Sequence, residues 1–160
     1  MALDGIRRVF RYLPLATEDG GNLDARLQMM IAAFEGGVAI GKGLGPAHAI
    51  AISCGDRGLH HGLLSAIGIL ASMPVMERHC PERTRTIGEA IGVAEYERPS
   101  DAIRALMITL GLPTSLAALG YQASDIAELA SRAAISHFNL TSPYAPSEAE
   151  FGHMIETVLD

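Results

Sequence analysis

Gly43-Leu44-Gly45-Pro46-Ala47-His48-Ala49-Ile50-Ala51-Ile52-Ser53-Cys54-Gly55-Asp56-Arg57-Gly58-Leu59-His60-His61-Gly62 is the stretch on which the reading of this chain turns. Two apolar segments follow one another, with a histidine at the start of each and a glycine-punctuated turn between them. Pro46 is tolerated in the first turn of a helix, and Gly55 and Gly58 can close one helix and reverse the chain into the next. Neutral imidazole is the commonest protein ligand for a first-row metal, so His48 and His61 read as half of a metal site carried on two helix starts. Two ligands rarely hold an ion alone, and the remainder of the set has to come from elsewhere.

Outward from this stretch the periodicity stays helical, and no segment alternates with the period of a strand. Ile6, Val9, Phe10 and Leu13 form one apolar face, with Pro14 expected to stop that helix. Asn22 caps a long second helix whose expected inward face is Leu23, Leu27, Met30, Ile31, Phe34 and Val38. The third helix starts near Pro46, the fourth runs from about His61 to Met73, and the fifth covers Glu82 to Ile91. Ser100-Asp101 opens a sixth helix that Gly111 and Pro113 terminate. Ser124-Asp125 opens a seventh, expected to reach His137. Ser147-x-x-Glu150 is a capping box for an eighth, with Phe151, Met154, Ile155, Val158 and Leu159 on one face. The expected fold is all-α, a bundle of about eight helices forming one domain over residues 1–160.

Composition narrows the function classes. Of 160 residues, 49% are hydrophobic and 19% charged, enough apolar surface for a packed core. The net charge of −6 disfavours a nucleic-acid surface, which needs clustered Lys and Arg; only Arg7, Arg8 and Arg11 lie together. The longest apolar run, Gly62 to Val75, is too short to span a bilayer, and the first residues lack a signal pattern, so no membrane association is expected. Two cysteines without metal or disulfide spacing fit a reducing cytoplasm.

Other candidates are weaker. Cys54 lies between the two histidines and could serve as a soft ligand, although a free cysteine is more often a small buried hydrophobe. Adjacent helical residues point about 100° apart, so only one of His60 and His61 can readily face the metal. His79-Cys80 reads as surface loop, and His137 and His153 as isolated. Gly41-Lys42-Gly43-Leu44-Gly45 follows a helix and matches no phosphate-loop pattern. No Gly-x-Ser-x-Gly segment provides a hydrolase nucleophile, and no catalytic side chain is assigned.

The Gly45-Pro-Ala-His48 segment, the short turn and the His60-His61-Gly62 segment resemble the C-terminal domain of the iron-containing (group III) alcohol dehydrogenases. Asn22-Leu-Asp-Ala-Arg26 and Met29 to Gly36 resemble the long helix before that motif, and Leu140-Thr-Ser-Pro143 its closing segment. The resemblance implies a divalent iron, or zinc, bound by four side chains. Two of these match His48 and His61, the latter being the histidine before the glycine; an Asp and a His would come from upstream. The metal would act as a Lewis acid on a small alcohol or aldehyde substrate, with hydride exchanged with NAD or NADP held on a separate N-terminal α/β domain that these residues do not include.

The sequence departs from that pattern in places. Ile52 stands where many members have a histidine four residues after the first ligand. His60 replaces a frequent proline, and Ser142-Pro143-Tyr144 stands where many have Asn-Pro-Arg. The turn is one residue shorter than in many members. The leading reading is the metal-binding helical half of such a dehydrogenase, inactive alone. The alternative is a non-catalytic helical interaction module or the remnant of a decayed gene. Apolar helix ends at Leu44, Ile52 and Leu59 are expected to face water, and either to drive formation of a homodimer or to cost residues 41–62 their order.

Overall fold

The computed structural model describes residues 1–93 and 97–160. Among these residues the chain forms eight α-helices and short 3-10 turns, with no strand. The helices are α1 (Ala2–Glu18), α2 (Leu23–Ile40), α3 (Pro46–Ser53), α4 (His61–His79), α5 (Pro81–Ile91), α6 (Pro99–Thr109), α7 (Ile126–Ala134) and α8 (Glu148–Glu156). They divide into two compact units, one of residues 1–42 and 82–111, the other of residues 43–81 and 112–160.

Two of the caps read from the sequence are formed, at Asn22 and Ser147, whereas α6 opens at Pro99 behind Arg98, ahead of the expected Ser100-Asp101, and α7 opens at Ile126 after a 3-10 turn capped by Gln122 and Asp125. Asn22 Oδ1 accepts the Ala25 N–H at 3.0 Å. Ser147 Oγ accepts the Glu150 N–H at 3.3 Å, while Glu150 Oε2 accepts the Ser147 N–H at 2.9 Å, satisfying two orphan donors at the start of α8. Two helices run past the stops expected for them. α1 continues through Pro14 to Glu18, because the proline removes one N–H while Asp19 N–H still donates to Leu15 O at 3.1 Å and closes the last turn. α4 likewise passes Met73 and Pro74 and reaches His79. α7 starts after a 3-10 turn at Ala123–Asp125 and stops at Ala134, so His137 falls in a separate 3-10 turn, His137–Thr141.

In the first unit α2 packs on α1 through its small residues. Ala25 and Ala32 are buried, Gly5 of α1 lies close to the Ala32 carbonyl, and buried Glu35 faces Arg8 Nε at 3.4 Å. The expectation that Leu23, Leu27, Met30, Phe34 and Val38 face inward is therefore reversed: all five are exposed, Phe34 by 68%. The stripe is real, but α1 takes the opposite face, where small side chains let two helices approach closely.

The second unit holds the larger apolar core. Ile50, Leu64, Ile67, Leu116, Phe151, Met154, Ile155 and Val158 are fully buried where α3, α4, α7 and α8 meet. Each such side chain contributes roughly 1.5–3 kcal/mol by leaving water. This core supports the helix starts that carry His48 and His61.

Candidate metal centre

α3 begins at Pro46, whose missing N–H costs nothing in a first turn, and the His48 N–H donates to Gly45 O at 3.0 Å. After Cys54 the chain makes a 3-10 turn over Gly55–Arg57 and reverses at Gly58, whose φ of +67° is left-handed and suits glycine. α4 then starts at His61, with His60 as its cap residue.

This path brings the two imidazoles together. The His48 and His61 rings lie edge to face, with centroids 4.8 Å apart and planes at 80°. Two imidazoles sharing one tetrahedral ion, with metal–nitrogen bonds of about 2 Å, have centroids about 5 Å apart, so the pair has the spacing of two ligands. His48 is half-buried; burial first, then the charges of His61 and His137, hold its pKa below the usual imidazole value. The shift favours the neutral ring, the form that has a lone pair free for a metal. Exposed His61 has Ser65 Oγ 3.4 Å from its Nε2. Among the described residues no group of three His, Cys, Asp or Glu side chains could hold an ion.

The neighbouring candidates separate from this pair. Cys54 is fully buried and burial pushes its thiol up to about 11, which makes it a core residue and not a soft ligand. His60 is exposed, and its ring lies over Gly62, where a Cβ would come within 3.1 Å of His60 Cε1. His79 closes α4, in place of the expected surface loop; its ring stacks on Tyr144 at 3.8 Å and its Nε2 lies 3.8 Å from Glu150. His153 faces Glu156 on α8. A Cβ on Gly43 would fall within 2.3 Å of Thr141, so this glycine serves a close packing contact and not a phosphate cradle. Of the three apolar residues expected to face water, Ile52 is exposed, whereas Leu44 and Leu59 are half-buried.

Sequence reasoning missed two residues beside the pair. Phe138 stands edge-on to His48 with centroids 4.4 Å apart, and His137, read as isolated, lies 4.0 Å from the Phe138 ring. Both reach the site from the 3-10 turn after α7, and no local pattern in Ser136-His137-Phe138 announces that role.

The turn between the histidines is tied down from α7 and the segment before it. Tyr121 OH donates to Cys54 O at 2.5 Å, and Arg132 Nη1 donates to Asp56 Oδ2 at 2.9 Å and Ser53 O at 3.3 Å. Arg57 Nη2 donates to Asp125 Oδ2 at 2.9 Å and Nη1 to Gly120 O, and its guanidinium lies 3.9 Å from the Tyr121 ring centre. The Arg132 guanidinium holds the Asp56 carboxyl below its ordinary range.

Comparison with known proteins places this arrangement in a family. The sequence profile of the Fe-containing alcohol dehydrogenase family, C-terminal, matches residues 1–159. A 4-hydroxybutyrate dehydrogenase of Cupriavidus necator is 31% identical over 98% of this chain and 44% of its own length. Alcohol dehydrogenase 4 of Saccharomyces cerevisiae is 32% identical over 89% of this chain and 39% of its own length. The crystal structure of a 1,3-propanediol oxidoreductase superposes with a TM-score of 0.91 at 25% identity, over 98% of this chain and 44% of that one. The chain thus spans less than half the length of these relatives. Matched along its whole length and folded as their helical part, it belongs to the Fe-containing alcohol dehydrogenase family and corresponds to the family's C-terminal portion.

Proposed function

We propose that His48 and His61 are two ligands of a divalent metal in an NAD- or NADP-linked alcohol dehydrogenase, for which this chain supplies the metal-binding helical half. The observation that carries the proposal is the convergence of the two rings, centroids 4.8 Å apart, from the starts of two different helices. Bound there, iron, or zinc in its place, supplies Lewis acidity toward an alcohol or carbonyl oxygen. Burial and the neighbouring charges favour the neutral form of His48, the form that offers a lone pair to a metal. Phe138 covers one edge of that ring and restricts its rotation. Ile52, four residues on, presents an exposed apolar side chain and has no proton to give, so it takes no part in proton transfer.

The substrate class is a small alcohol and its aldehyde or ketone, in keeping with relatives named for 4-hydroxybutyrate, methanol and 1,3-propanediol. The nicotinamide cofactor and the other two ligands would come from the part of those proteins that this chain does not span. No described helix is long and apolar enough to cross a membrane. A cytoplasmic location is in keeping with two cysteines that lack disulfide spacing.

Titration of the purified chain with Zn²⁺ or Fe²⁺ tests the ligand assignment. Weak binding by the wild type, as two of four ligands allow, and its loss in both His48→Ala and His61→Ala are expected. Equal binding by the double variant would refute it; metal-dependent aldehyde reduction with NADH or NADPH by the isolated chain would overturn the separate reading that this chain is inactive alone.

A further inference from the structure

We propose that Tyr121 and Arg132 are positioning residues for the metal centre: they hold the turn from Ser53 to Arg57 so that His61 meets His48. This rests on the metal reading of the two histidines. Ser53 O, Cys54 O and the Asp56 carboxylate are all engaged from the segment of residues 120–132. Arg57 crosses in the opposite sense, to Gly120 O and Asp125. Four of the five positions from Ser53 to Arg57, all but Gly55, are thus tied to a neighbouring element.

The consequences are geometric. The turn ends at Gly58, and only Leu59 and His60 separate it from His61, so a shift or rotation of the turn passes directly to the His61 ring. His48 lies five residues before Ser53 on the other side of the same turn. It is backed by Phe138, which follows α7 just as Tyr121 precedes it. The two rings are therefore referred to one frame, α7 and its flanks, which contributes no ligand itself. Tyr121 is 3% exposed, so its hydroxyl has no water to fall back on if Cys54 O moves away. Groups that hydrogen-bond the ligands themselves typically change metal affinity by about 10–100-fold, and Tyr121 and Arg132, which act one step further out through the turn, belong at the low end of that range.

The test uses the full chain with isotope-labelled histidine. The first readout is the nuclear Overhauser effect between the His48 and His61 ring protons without metal. The second is the Co²⁺ concentration that half-broadens those signals. Tyr121→Phe and Arg132→Gln should each weaken the ring-to-ring effect, and the double variant should lose it, with Co²⁺ affinity about tenfold lower. Tyr144→Phe, which removes a buried-side hydroxyl contact to Glu150 in the same unit, should change neither readout. Unchanged ring proximity in the double variant would overturn the proposal, and so would an equal loss in Tyr144→Phe, which would mark a general loosening. The Arg132 side chain is solvent-exposed, so Arg132→Gln decides the matter if the Tyr121 variants do not fold. Ring proximity that depends on Tyr121 and Arg132 in a chain that binds no Co²⁺ supports the positioning role and removes the metal reading instead.

Discussion

A Cβ built on Gly68 would lie 2.1 Å from the carbonyl oxygen of Ala47, so α3 and α4 touch backbone to backbone beside His48. No rotamer change relieves such a clash; the helices have to part. Gly68→Ala should therefore cost about 1–3 kcal/mol of stability and separate the His48 and His61 rings. By contrast, a Cβ on Gly36 or Gly37 of α2 meets nothing within 4 Å. Alanine there should stabilise the chain by roughly 0.5–1 kcal/mol, because glycine loses more freedom on entering a helix. Urea midpoints of the three variants check both signs. Equal effects at Gly68 and Gly36 would mean that the helix contact does not control stability.

His60 and His61 differ in what their rings can reach. His61 faces His48, whereas the His60 ring lies back over Gly62 in solvent. Calorimetric titration with Zn²⁺ should show binding abolished in His61→Ala and retained in His60→Ala. The reverse pattern would transfer the ligand role to His60.

What the sequence disclosed depended on how local the physics was. Asn22, Ser147 with Glu150, and Pro46 act within one turn of chain, and all three sit where their chemistry places them. The pairing of His48 with His61 was also legible, because a short glycine-bearing turn connects their helices. Pro14 and Pro74 misled, since the surrounding turns keep enough hydrogen bonds to carry a helix past one missing donor. The α2 stripe misled for a different reason. Periodicity identifies an apolar face but not the partner that covers it, and α1 chose the alanine face. Phe138 and His137 were out of reach because only the packing of α7 on α3 brings them to His48.

Acid should act on the second unit through Glu150. Its carboxylate accepts from Tyr144 OH at 2.6 Å and from the Ser147 hydroxyl and N–H, and these bonds depress its pKa from 4.5 to about 2. A depressed carboxyl contributes stability that is fully present above its ordinary pKa and is lost as pH falls through the folded value. Wild type should therefore be more stable than Glu150→Gln at pH 7, with the gap shrinking below about pH 4.5 and closing near pH 2. Urea midpoints between pH 7 and pH 2 report it. A gap that stays constant over that range would show that the contribution of Glu150 does not depend on its charge.

The outward face of α2 sets how the isolated chain behaves in solution. Leu23, Leu27, Met30, Phe34 and Val38 recur at helical spacing and are exposed, whereas near the histidines Ile52 is exposed and Leu44 and Leu59 are half-buried. A helix apolar on most of its circumference is usually covered on most of it, and soluble monomers seldom expose a continuous apolar stripe. The relatives are more than twice as long as this chain, so a face covered in them can be bare here. Self-association through α2 is the expected outcome, stronger than any association through Ile52. Sedimentation across a range of concentrations should show reversible oligomers that Met30→Gln with Phe34→Gln largely abolishes and Ile52→Gln barely affects. Neither helix register nor core is disturbed by these changes, because the side chains already face water. A monomer at all concentrations would mean that the stripe is tolerated in solvent, and a dominant effect of Ile52→Gln would move the contact to the ends of the metal-site helices.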